Sequence, residues 1–467
     1  MIDFNGKDVL VVGMGVSGFA AAEVALRVGA SVTVTDSSPS PPMAGRAGQL
    51  DEAGVDVRLG VSVPEDLAAF DLVVVSPGVP DRAEVLVSAR EEGIKVISEL
   101  EMGYQLLENE MVAVTGTNGK TTTTALIRRV LDRPDRKAYA CGNIGSPLVG
   151  LVGQVQPEDV LVVEVSSFQL ANIVEFRAQV AVLLNIAPDH FDWHADMKEY
   201  REAKERITAN QTSDDYFIYN SDDPACREIA AEMNAVAVGF GLEREPGYGV
   251  WVEDGWIKAG PPLREEVQVV PLRDVRLAGS HNLLNIMAAV GAALAMGEQP
   301  AVIRKAVGKF EGLEHRMEYV ATVSGVRFVN DSKATNPHAA VSAIRSFEEP
   351  AVVILGGRNK GLDFTELSHE VCRRLESGLL KGVVLIGESA PEILESMTAG
   401  CAGIDGYTVV TAGALDDAIN TAFRIADGSG VILLSPACAS FDMFKDYRER
   451  GRAFKESVVG LARKGRR

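Results

Sequence analysis

The sequence of 467 residues lacks long apolar runs, paired cysteines and a basic leader. No segment reaches the ~18 consecutive apolar residues that a membrane-spanning helix needs. The N-terminus carries acid and glycine where a signal peptide has a basic start and an apolar run. The five cysteines are scattered and show no C-x-x-C spacing, which indicates buried thiols in a reducing compartment. We therefore expect a soluble, cytoplasmic protein without a membrane span.

Positive charge is scarce as well, since the formal net charge is -19. Neutralising a DNA or RNA backbone requires clustered Lys and Arg, so this balance argues against a nucleic-acid partner. An anionic ligand must instead be held locally, by backbone N–H groups, metal ions and a few placed cations. The length exceeds one ordinary hydrophobic core, and 46% of the residues are hydrophobic, so two or three globular domains are expected.

Apolar strands alternate with helices in three successive segments, which predicts an α/β protein with three domains. We place a Rossmann-like domain at 1–98, a central P-loop ATPase-like domain with a mostly parallel sheet at 99–311, and a second Rossmann-like domain at 312–467. The Pro/Gly/Ser-rich stretch 37–48 is predicted to be a loop, and 248–258 a β-hairpin that turns at Asp254-Gly255. Strands are predicted at 8–12, 31–35, 72–75, 111–114, 160–165, 180–184, 326–330, 351–355, 382–386, 407–410 and 430–434.

A glycine motif, Gly13-Met-Gly-Val-Ser-Gly18, lies between the first strand and its helix, and Asp36 ends the next strand. In this context the glycines allow a phosphate to approach the helix N-terminus, and Asp36 is placed to accept hydrogen bonds from a ribose or base. The motif predicts a nucleotide site without specifying the nucleotide. The alternative is simple close packing of helix on strand.

The segment Gly116-Thr-Asn-Gly-Lys120-Thr121 follows an apolar strand and precedes a helix, as a shortened phosphate loop does. Its backbone N–H groups suit phosphate oxygens, Lys120 neutralises terminal charge, and the Thr121 hydroxyl can ligate Mg²⁺. A surface Gly-Lys turn would need neither the apolar strand before it nor the Thr run after it. The sequence therefore predicts a nucleoside triphosphate site.

Three further residues are candidates near this loop. Glu164 ends a neighbouring strand, where a carboxylate is placed to hold a metal ion. His190 lies in a loop with two Asp and a second His, which suits metal or phosphate contact as well as a structural role. Lys204 lies in the predicted helical stretch 198–207, and composition alone makes it an exposed helix lysine.

The third segment has three polar turns that follow apolar strands: 330–336, 356–361 and 435–442. Because parallel strands end at one edge of a sheet, these turns are expected to share one ligand-binding crevice. Ordinary polar turns remain the alternative for each of them.

Taken together, the motifs resemble those of the Mur ligase family of cell-wall enzymes, over essentially the whole chain. The matching motifs are the G-T-N-G-K-T-T loop, Glu164 in E-V-S-S-F-Q-L, Asp189-His190, the segment 279–285 and His315-Arg316. Four more, at 76–79, 142–145, 330–336 and 435–440, resemble the branch that adds D-glutamate. The D-N-P-R and His-His-Pro signatures of the diaminopimelate-adding and alanine-adding branches are missing.

The resemblance implies an ATP-dependent, monomeric ligase that adds D-glutamate to UDP-N-acetylmuramoyl-L-alanine in peptidoglycan precursor synthesis. The alanine carboxylate would attack the ATP γ-phosphate, and the D-glutamate amine would then attack the resulting acyl phosphate. The first domain would accordingly bind UDP and not a nicotinamide cofactor.

The family's site residues carry over onto the matching positions of this sequence. Contacts to the UDP-linked substrate are expected from Gly15, Val16, Ser17, Asp36, Ser37, Gly78, Asn143, Ser166 and Gln169. ATP contacts are expected from Gly116, Thr117, Asn118, Gly119, Lys120, Thr121, Thr122, Asn285, Arg316 and Asp331. D-glutamate contacts are expected from Lys333, Thr335, Lys360, Ser440 and Tyr447. Tyr447 stands where some relatives have Phe, and Arg358 where an acidic or small residue is expected.

The resemblance also implies two Mg²⁺ ions held by Thr121, Glu164, His190 and Lys204. Lys204 would be carbamylated by CO2, which changes a cation into an anion able to bind metal. Lys120, His190 and Lys204 are therefore the expected catalytic residues.

Three other functions stay open from the sequence. The glycine motif alone suits a nicotinamide-dependent oxidoreductase, although the phosphate loop then has no role. In a non-catalytic P-loop switch or binding ATPase, phosphate release would not require both an acyl precursor and D-glutamate. A sister ligase, including the folate polyglutamylating relatives, would differ only in the amino acid that it adds.

Overall fold

The computed structural model describes residues 2–37, 41–189, 193–277, 279–359, 362–400 and 408–464. The chain forms two compact units, one of Met1–Arg276 with Asn282–Phe310 and one of Leu277–His281 with Glu311–Arg467. Each unit is described by itself.

The first sheet has five parallel strands in the order β3-β2-β1-β4-β5. Residues of β1 alternate between two buried faces: Val9 and Val11 pack into one apolar cluster, and Leu10 and Val12 into another. A strand covered on both faces is therefore apolar throughout. The elements are β1 (Asp8–Val12), α1 (Val16–Arg27), β2 (Ser31–Asp36), α2 (Pro41–Glu52), β3 (Asp56–Leu59), β4 (Leu72–Val75), α3 (Glu84–Glu91) and β5 (Lys95–Ser98).

The loop prediction for 37–48 was wrong, because α2 begins at Pro41. Proline is tolerated in the first turn of a helix, where its missing N–H has no partner to lose. Leu50 of this helix is 1% exposed and packs into the same cluster as Val9. Tertiary packing therefore outweighs the low helix propensity of Gly45 and Gly48.

The central sheet has nine strands in the order β14-β13-β12-β11-β10-β9-β6-β8-β7. Neighbouring strands are parallel except in the pairs β12-β13 and β13-β14, which are antiparallel. The predicted hairpin is confirmed, with Asp254 and Gly255 at φ +51° and +76° between β12 and β13. The elements are α4 (Glu99–Gln105), β6 (Glu110–Thr115), α5 (Lys120–Leu131), β7 (Ala138–Gly142), β8 (Val160–Glu164), α6 (Ser167–Ala171), β9 (Val180–Leu183), α7 (Met197–Glu205), β10 (Tyr216–Asn220), α8 (Pro224–Ala230), β11 (Val236–Gly241), β12 (Val250–Glu253), β13 (Trp256–Ala259), β14 (Val267–Pro271), α9 (Ser280–Ala295) and α10 (Pro300–Val307).

The third sheet has six strands in the order β15-β16-β20-β17-β18-β19, of which only β15 is antiparallel to its neighbour. The edge strand β15 was not predicted. The elements are β15 (Glu318–Val323), β16 (Val326–Asn330), α11 (Pro337–Arg345), β17 (Ala351–Gly356), α12 (Thr365–Glu376), β18 (Leu380–Ile386), α13 (Ala390–Gly400), β19 (Thr408–Thr411), α14 (Leu415–Ala426), β20 (Gly430–Leu434) and α15 (Tyr447–Lys464).

A buried carboxylate, Glu101 of α4, joins the end of the first sheet to the central domain. Its two oxygens accept hydrogen bonds of 2.9 Å from the backbone N–H groups of Val174, Glu175 and Phe176. Beside it, the Ser98 N–H donates to the carbonyl of Asn172 at 2.8 Å. A charged acceptor with three amide donors is a strong local tie, since each charge-assisted bond contributes about 1.5–3 kcal/mol.

The cysteines follow the prediction in part. Cys141, Cys226 and Cys438 are buried free thiols, whereas Cys372 is disulfide-bonded, so the prediction was wrong for Cys372. Spacing along the sequence does not report which sulfurs a fold brings together. Within the described ranges, no helix is both long and apolar enough to cross a bilayer.

Candidate active site

The phosphate loop connects β6 to α5. Gly116 and Gly119 have φ of +144° and +89°, values that favour glycine. Gly119 caps α5, so the free N–H groups of the first helical turn face the loop. The Lys120 Nζ donates hydrogen bonds to the carbonyls of Gly116 at 2.7 Å and Thr117 at 2.9 Å. These contacts hold a positive charge over the loop, as a phosphate site requires.

Two residues outside the motif hold the loop in shape. The Asn185 side chain accepts from the Asn118 N–H at 2.8 Å and donates to the Asn118 carbonyl at 3.1 Å. The Tyr200 hydroxyl lies 3.1 Å from the Thr117 hydroxyl, and Tyr200 is fully buried. Neither residue was among the predicted site residues. The signal available in the sequence was the position of Asn185 directly after the predicted strand 180–184.

Asn285, a predicted ATP contact on α9, lies against the phosphate loop. A Cβ added to Gly119 would be 2.1 Å from the Asn285 Oδ1. Asn285 is 7% exposed. The fold therefore brings together residues that are far apart in the sequence, and it leaves room at position 119 for glycine alone.

Glu164 ends β8, where it pairs with Val114 of β6. Its Oε1 accepts a hydrogen bond of 2.9 Å from the Asn143 amide, whereas its buried Oε2 has no partner among the described residues. An unpartnered buried carboxylate oxygen is costly, and such an oxygen suits a hard cation such as Mg²⁺. No group of three or more His, Cys, Asp or Glu suited to metal binding occurs in the described part of the chain.

Lys204 is buried, so the interpretation of it as an exposed helix lysine was wrong. Its Nζ donates to the Gly116 carbonyl at 3.0 Å and lies 4.5 Å from the centre of the Tyr200 ring. Burial first, and the Lys120 charge second, lower the pKa of Lys204 well below its usual value. The unprotonated amine of Lys204 is therefore favoured more than that of an exposed lysine.

His190 lies outside the described residues, so its metal contact stays a prediction. Asp189, directly before it, acts electrostatically on both Lys204 and Tyr200. The second histidine of this segment, His194, is fully buried with its Nε2 2.9 Å from the Ser167 hydroxyl. His194 thus has a packing role.

Ser166 and Gln169 form a capping box at the start of α6. The Ser166 hydroxyl accepts from the Gln169 N–H at 3.3 Å, and the Gln169 Oε1 accepts from the Ser166 N–H at 3.0 Å. Together with Asn143, they lie close in sequence to the strand ends around Glu164. None of these three predicted substrate residues lines the cleft of the first sheet.

The cleft of the first sheet has a volume of about 500 Å³ and lies where the strand order reverses between β1 and β4. Four predicted substrate residues line it, namely Gly15, Asp36, Ser37 and Gly78. Val16 and Ser17 begin α1 beside it. The Asp36 Oδ2 accepts from the Met14 N–H at 2.8 Å, so this carboxylate holds the glycine turn in place.

The three polar turns of the third sheet are adjacent, as predicted, because β16, β20 and β17 are parallel neighbours. Arg358 and Ala439 exchange two backbone hydrogen bonds of 2.8 and 3.1 Å. The Ser332 hydroxyl donates to the Tyr447 carbonyl at 2.8 Å. These contacts bring together the segments that carry four predicted D-glutamate residues, namely Lys333, Thr335, Ser440 and Tyr447. Lys360, the fifth, lies outside the described residues.

Asp331 follows β16 and is buried. Its oxygens accept from the Ser435 hydroxyl at 2.9 Å and the Met317 N–H at 3.2 Å. Burial raises its pKa to about 7, against the opposing effects of the Ser435 hydrogen bond and the Arg316 charge. Arg316 and Asp331 are therefore near each other in the second unit. Their contact with ATP stays a prediction.

Comparisons with known proteins match these domains in order. Three family models cover successive parts of the chain: Mur ligase MurD-like, N-terminal domain, at 7–98; Mur ligase middle domain at 114–293; and Mur ligase, glutamate ligase domain, at 315–438. The chain is 43% identical to the UDP-N-acetylmuramoylalanine--D-glutamate ligase of Pelotomaculum thermopropionicum, over 98% of this chain and 99% of that protein. It is 40% identical to the ligase of the same name from Koribacter versatilis, over 99% of each chain.

Solved structures share the fold at lower sequence identity. A UDP-N-acetylmuramate-alanine ligase from Thermotoga maritima is 20% identical, with a TM-score of 0.56 over 97% of this chain and 99% of that one. A pseudomurein peptide ligase type C from Methanothermus fervidus is 18% identical, with a TM-score of 0.56 over 98% and 100%. With three matched domains and a full-length relative at 43% identity, the chain belongs to the Mur ligase family.

Proposed function

We propose that this chain joins D-glutamate to UDP-N-acetylmuramoyl-L-alanine at the expense of ATP, forming an amide bond in peptidoglycan precursor synthesis. The observation that carries the proposal is full-length similarity to ligases named for D-glutamate addition. The phosphate loop supports it, since Lys120 and the start of α5 form a site for ATP. An oxidoreductase would leave that loop without a role.

The reaction must first activate a carboxylate, because a carboxylate does not condense with an amine unaided in water. The alanine carboxylate attacks the γ-phosphorus, ADP leaves, and an acyl phosphate forms. The D-glutamate amine then attacks the acyl carbon and phosphate leaves. Lys120 and the N–H groups at the start of α5 stabilise the negative charge that develops on the phosphates.

Thr121, Glu164, His190 and Lys204 are the residues that would hold Mg²⁺, and we propose two ions. The buried, unpartnered Glu164 Oε2 supports this assignment. Magnesium bound there would offset the charge of the ATP phosphates.

Lys204 would contribute as a carbamate. Its unprotonated Nζ attacks CO2 and loses a proton, so that the amine becomes an anionic carbamate. The lowered pKa of Lys204 favours this reaction, because only the unprotonated amine is nucleophilic. Its burial then keeps the carbamate away from bulk water.

The substrates are assigned to different domains. The cleft of the first sheet takes the UDP part through Gly15, Val16, Ser17, Asp36, Ser37 and Gly78. The muramoyl-alanine part contacts Asn143, Ser166 and Gln169. Asn285, Arg316 and Asp331 contact ATP, and D-glutamate contacts Lys333, Thr335, Lys360, Ser440 and Tyr447.

An amino-acid panel tests the proposal. The wild-type protein is incubated with MgATP, UDP-N-acetylmuramoyl-L-alanine and one amino acid at a time, and product mass and phosphate release are measured. D-glutamate should give the amide, and phosphate release should need both the acyl substrate and the amino acid. Amide formation with a different amino acid, or phosphate release without an acceptor, overturns the assignment.

A further inference from the structure

Arg450, on α15, is a buried arginine to which the proposed mechanism assigns no role. It is 1% exposed, although arginine is rarely buried without a charged partner. Its Nε donates to the Ser332 hydroxyl at 3.0 Å, and one terminal nitrogen donates to the carbonyls of Ser332 at 2.9 Å and Cys438 at 3.1 Å. One guanidinium thus binds the turn after β16 and the turn after β20.

The other terminal nitrogen of Arg450 faces the third turn. A Cβ added to Gly357, in the turn after β17, would be 3.2 Å from this nitrogen. Gly357 has a φ of +140°, so the bare backbone of a glycine is what this close approach requires. The nitrogen is buried and has no hydrogen-bond partner among the described residues. The guanidinium therefore binds two of the turns by hydrogen bonds, and its other terminal nitrogen lies beside the third.

The charge of Arg450 is not neutralised locally. Within the described part of the chain it forms no ion pair; Asp442 acts on it electrostatically, and burial lowers its pKa to about 10. An unpaired buried charge is strongly unfavourable, so a residue of this kind calls for a compensating role. A guanidinium keeps its proton at neutral pH even when buried, so this edge of the sheet carries a permanent positive charge.

The same three turns carry the residues assigned to D-glutamate. Ser332 directly precedes Lys333, Cys438 lies two residues before Ser440, and the Ser332 hydroxyl also binds the Tyr447 carbonyl. A shift of any turn would move these contacts by amounts that matter for binding.

We propose, resting on the function proposed above, that Arg450 is a positioning residue of the amino-acid site: it ties two of the turns together beside the third and supplies the positive charge that favours an acidic amino acid. It acts through the backbone of the turns and through its field, and it need not touch the substrate.

Steady-state kinetics of Arg450→Met and Arg450→Lys test this role, with Arg452→Met as the matched control. Arg452 is an exposed arginine on the same helix. R450M should raise KM for the acidic amino acid about tenfold or more, as expected when hydrogen bonds from a charged donor are lost. KM for MgATP and for the UDP substrate should stay within about twofold, since a local defect leaves distant sites unchanged. R452M should behave as wild type.

A second measurement is the preference for D-glutamate over its neutral amide D-glutamine. It separates the effect of the Arg450 charge from the effect of its hydrogen-bond geometry. R450K keeps the charge and should retain most of this preference while KM stays raised, whereas R450M should lose both. If R450M does not fold, Ser332→Ala removes one of the same bonds and should raise KM for the amino acid alone. An unchanged amino-acid KM in R450K and S332A, or a parallel rise of all three KM values, overturns the role.

The wild-type amino-acid panel distinguishes this failure from failure of the proposed function. If the wild type couples another acidic amino acid, the D-glutamate assignment falls, and Arg450 is tested with that amino acid. If it couples a neutral one, both proposals fall.

Discussion

The side-chain amines of Lys120 and Lys204 donate hydrogen bonds to one acceptor, the carbonyl oxygen of Gly116, at 2.7 and 3.0 Å. One lysine belongs to the phosphate loop and the other to α7, more than eighty positions later in the sequence. Two positive charges so close together disfavour each other, and the buried one is deprotonated more easily. Of the two amines at this carbonyl, the buried Lys204 is the one that loses its proton more readily.

Replacing Lys120 by alanine should reduce amide formation by about 10²-fold or more, because a charge that stabilises the transferring phosphate is lost. Lys137→Ala removes an exposed lysine that follows the same helix and serves as the control. The measurement is the rate of D-glutamate coupling at saturating substrates. Undiminished coupling by K120A would remove the basis of the proposed function.

Replacing Lys204 by methionine should abolish coupling yet raise the thermal midpoint at pH 7 in CO2-free buffer. The pKa of Lys204 is lowered in the fold, so the unfolded chain binds more protons and wild-type stability rises with pH up to about 10.5, the ordinary lysine value. The advantage of K204M should therefore shrink as the pH approaches that value. Lys198→Met, an exposed change on the same helix, should alter neither midpoint nor coupling. A lower midpoint for K204M at pH 7 contradicts the prediction.

Asp331→Asn should stabilise the protein increasingly as the pH rises from 5 to 8. The pKa of Asp331 is raised to about 7 in the fold, so its contribution to stability is present at low pH and is lost as the pH rises through that value. Asparagine stays neutral; its amide oxygen can accept from the Met317 N–H, and its NH2 group can donate to the Ser435 hydroxyl. Asp427→Asn, at an exposed position, is the control. Across this pH range, the thermal midpoint of D331N should rise relative to that of the wild type, and D427N should show no such trend. A constant difference between D331N and wild type would argue against a buried, titrating Asp331.

Gly119→Ala should impair ATP binding strongly, whereas Gly255→Ala should have a much smaller effect on both KM for MgATP and the thermal midpoint. Both glycines have positive φ, so both substitutions carry similar backbone strain of about 1–2 kcal/mol. Only at position 119 would the new methyl group clash, at 2.1 Å from the Asn285 Oδ1, whereas nothing lies within 4 Å at position 255. The check is KM for MgATP together with the thermal midpoint. Equal effects of the two changes would mean that strain alone accounts for them.

The sequence predicted the buried strands best, because a run such as Leu72–Val75 is apolar on both faces and is bounded by turn residues. It failed at α2, where two prolines and two glycines are typical of a loop but Leu50 packs into the core. Short-range patterns report propensity, and this helix is decided by contacts with distant residues.

The candidate site was likewise predictable only in part. The phosphate loop was predictable because its glycines, lysine and threonines are contiguous. The burial of Lys204 was not predictable from composition, since its acceptor lies on Gly116, and family resemblance was what singled it out. The role of Arg450 was not predictable from the sequence, because its hydrogen-bond partners come from two turns that meet only in the fold.

The tie made by Glu101 has a consequence for substrate choice. Its carboxylate clamps the backbone at 174–176 beside the end of the first sheet, so it restrains changes in the distance between the first cleft and the phosphate loop. In the proposed function, a substrate anchored in the first cleft must have the correct length for its reacting carboxylate to arrive at the phosphate loop. Precursors one sugar or one residue too long or too short would be rejected by reach alone, before any side chain recognises them.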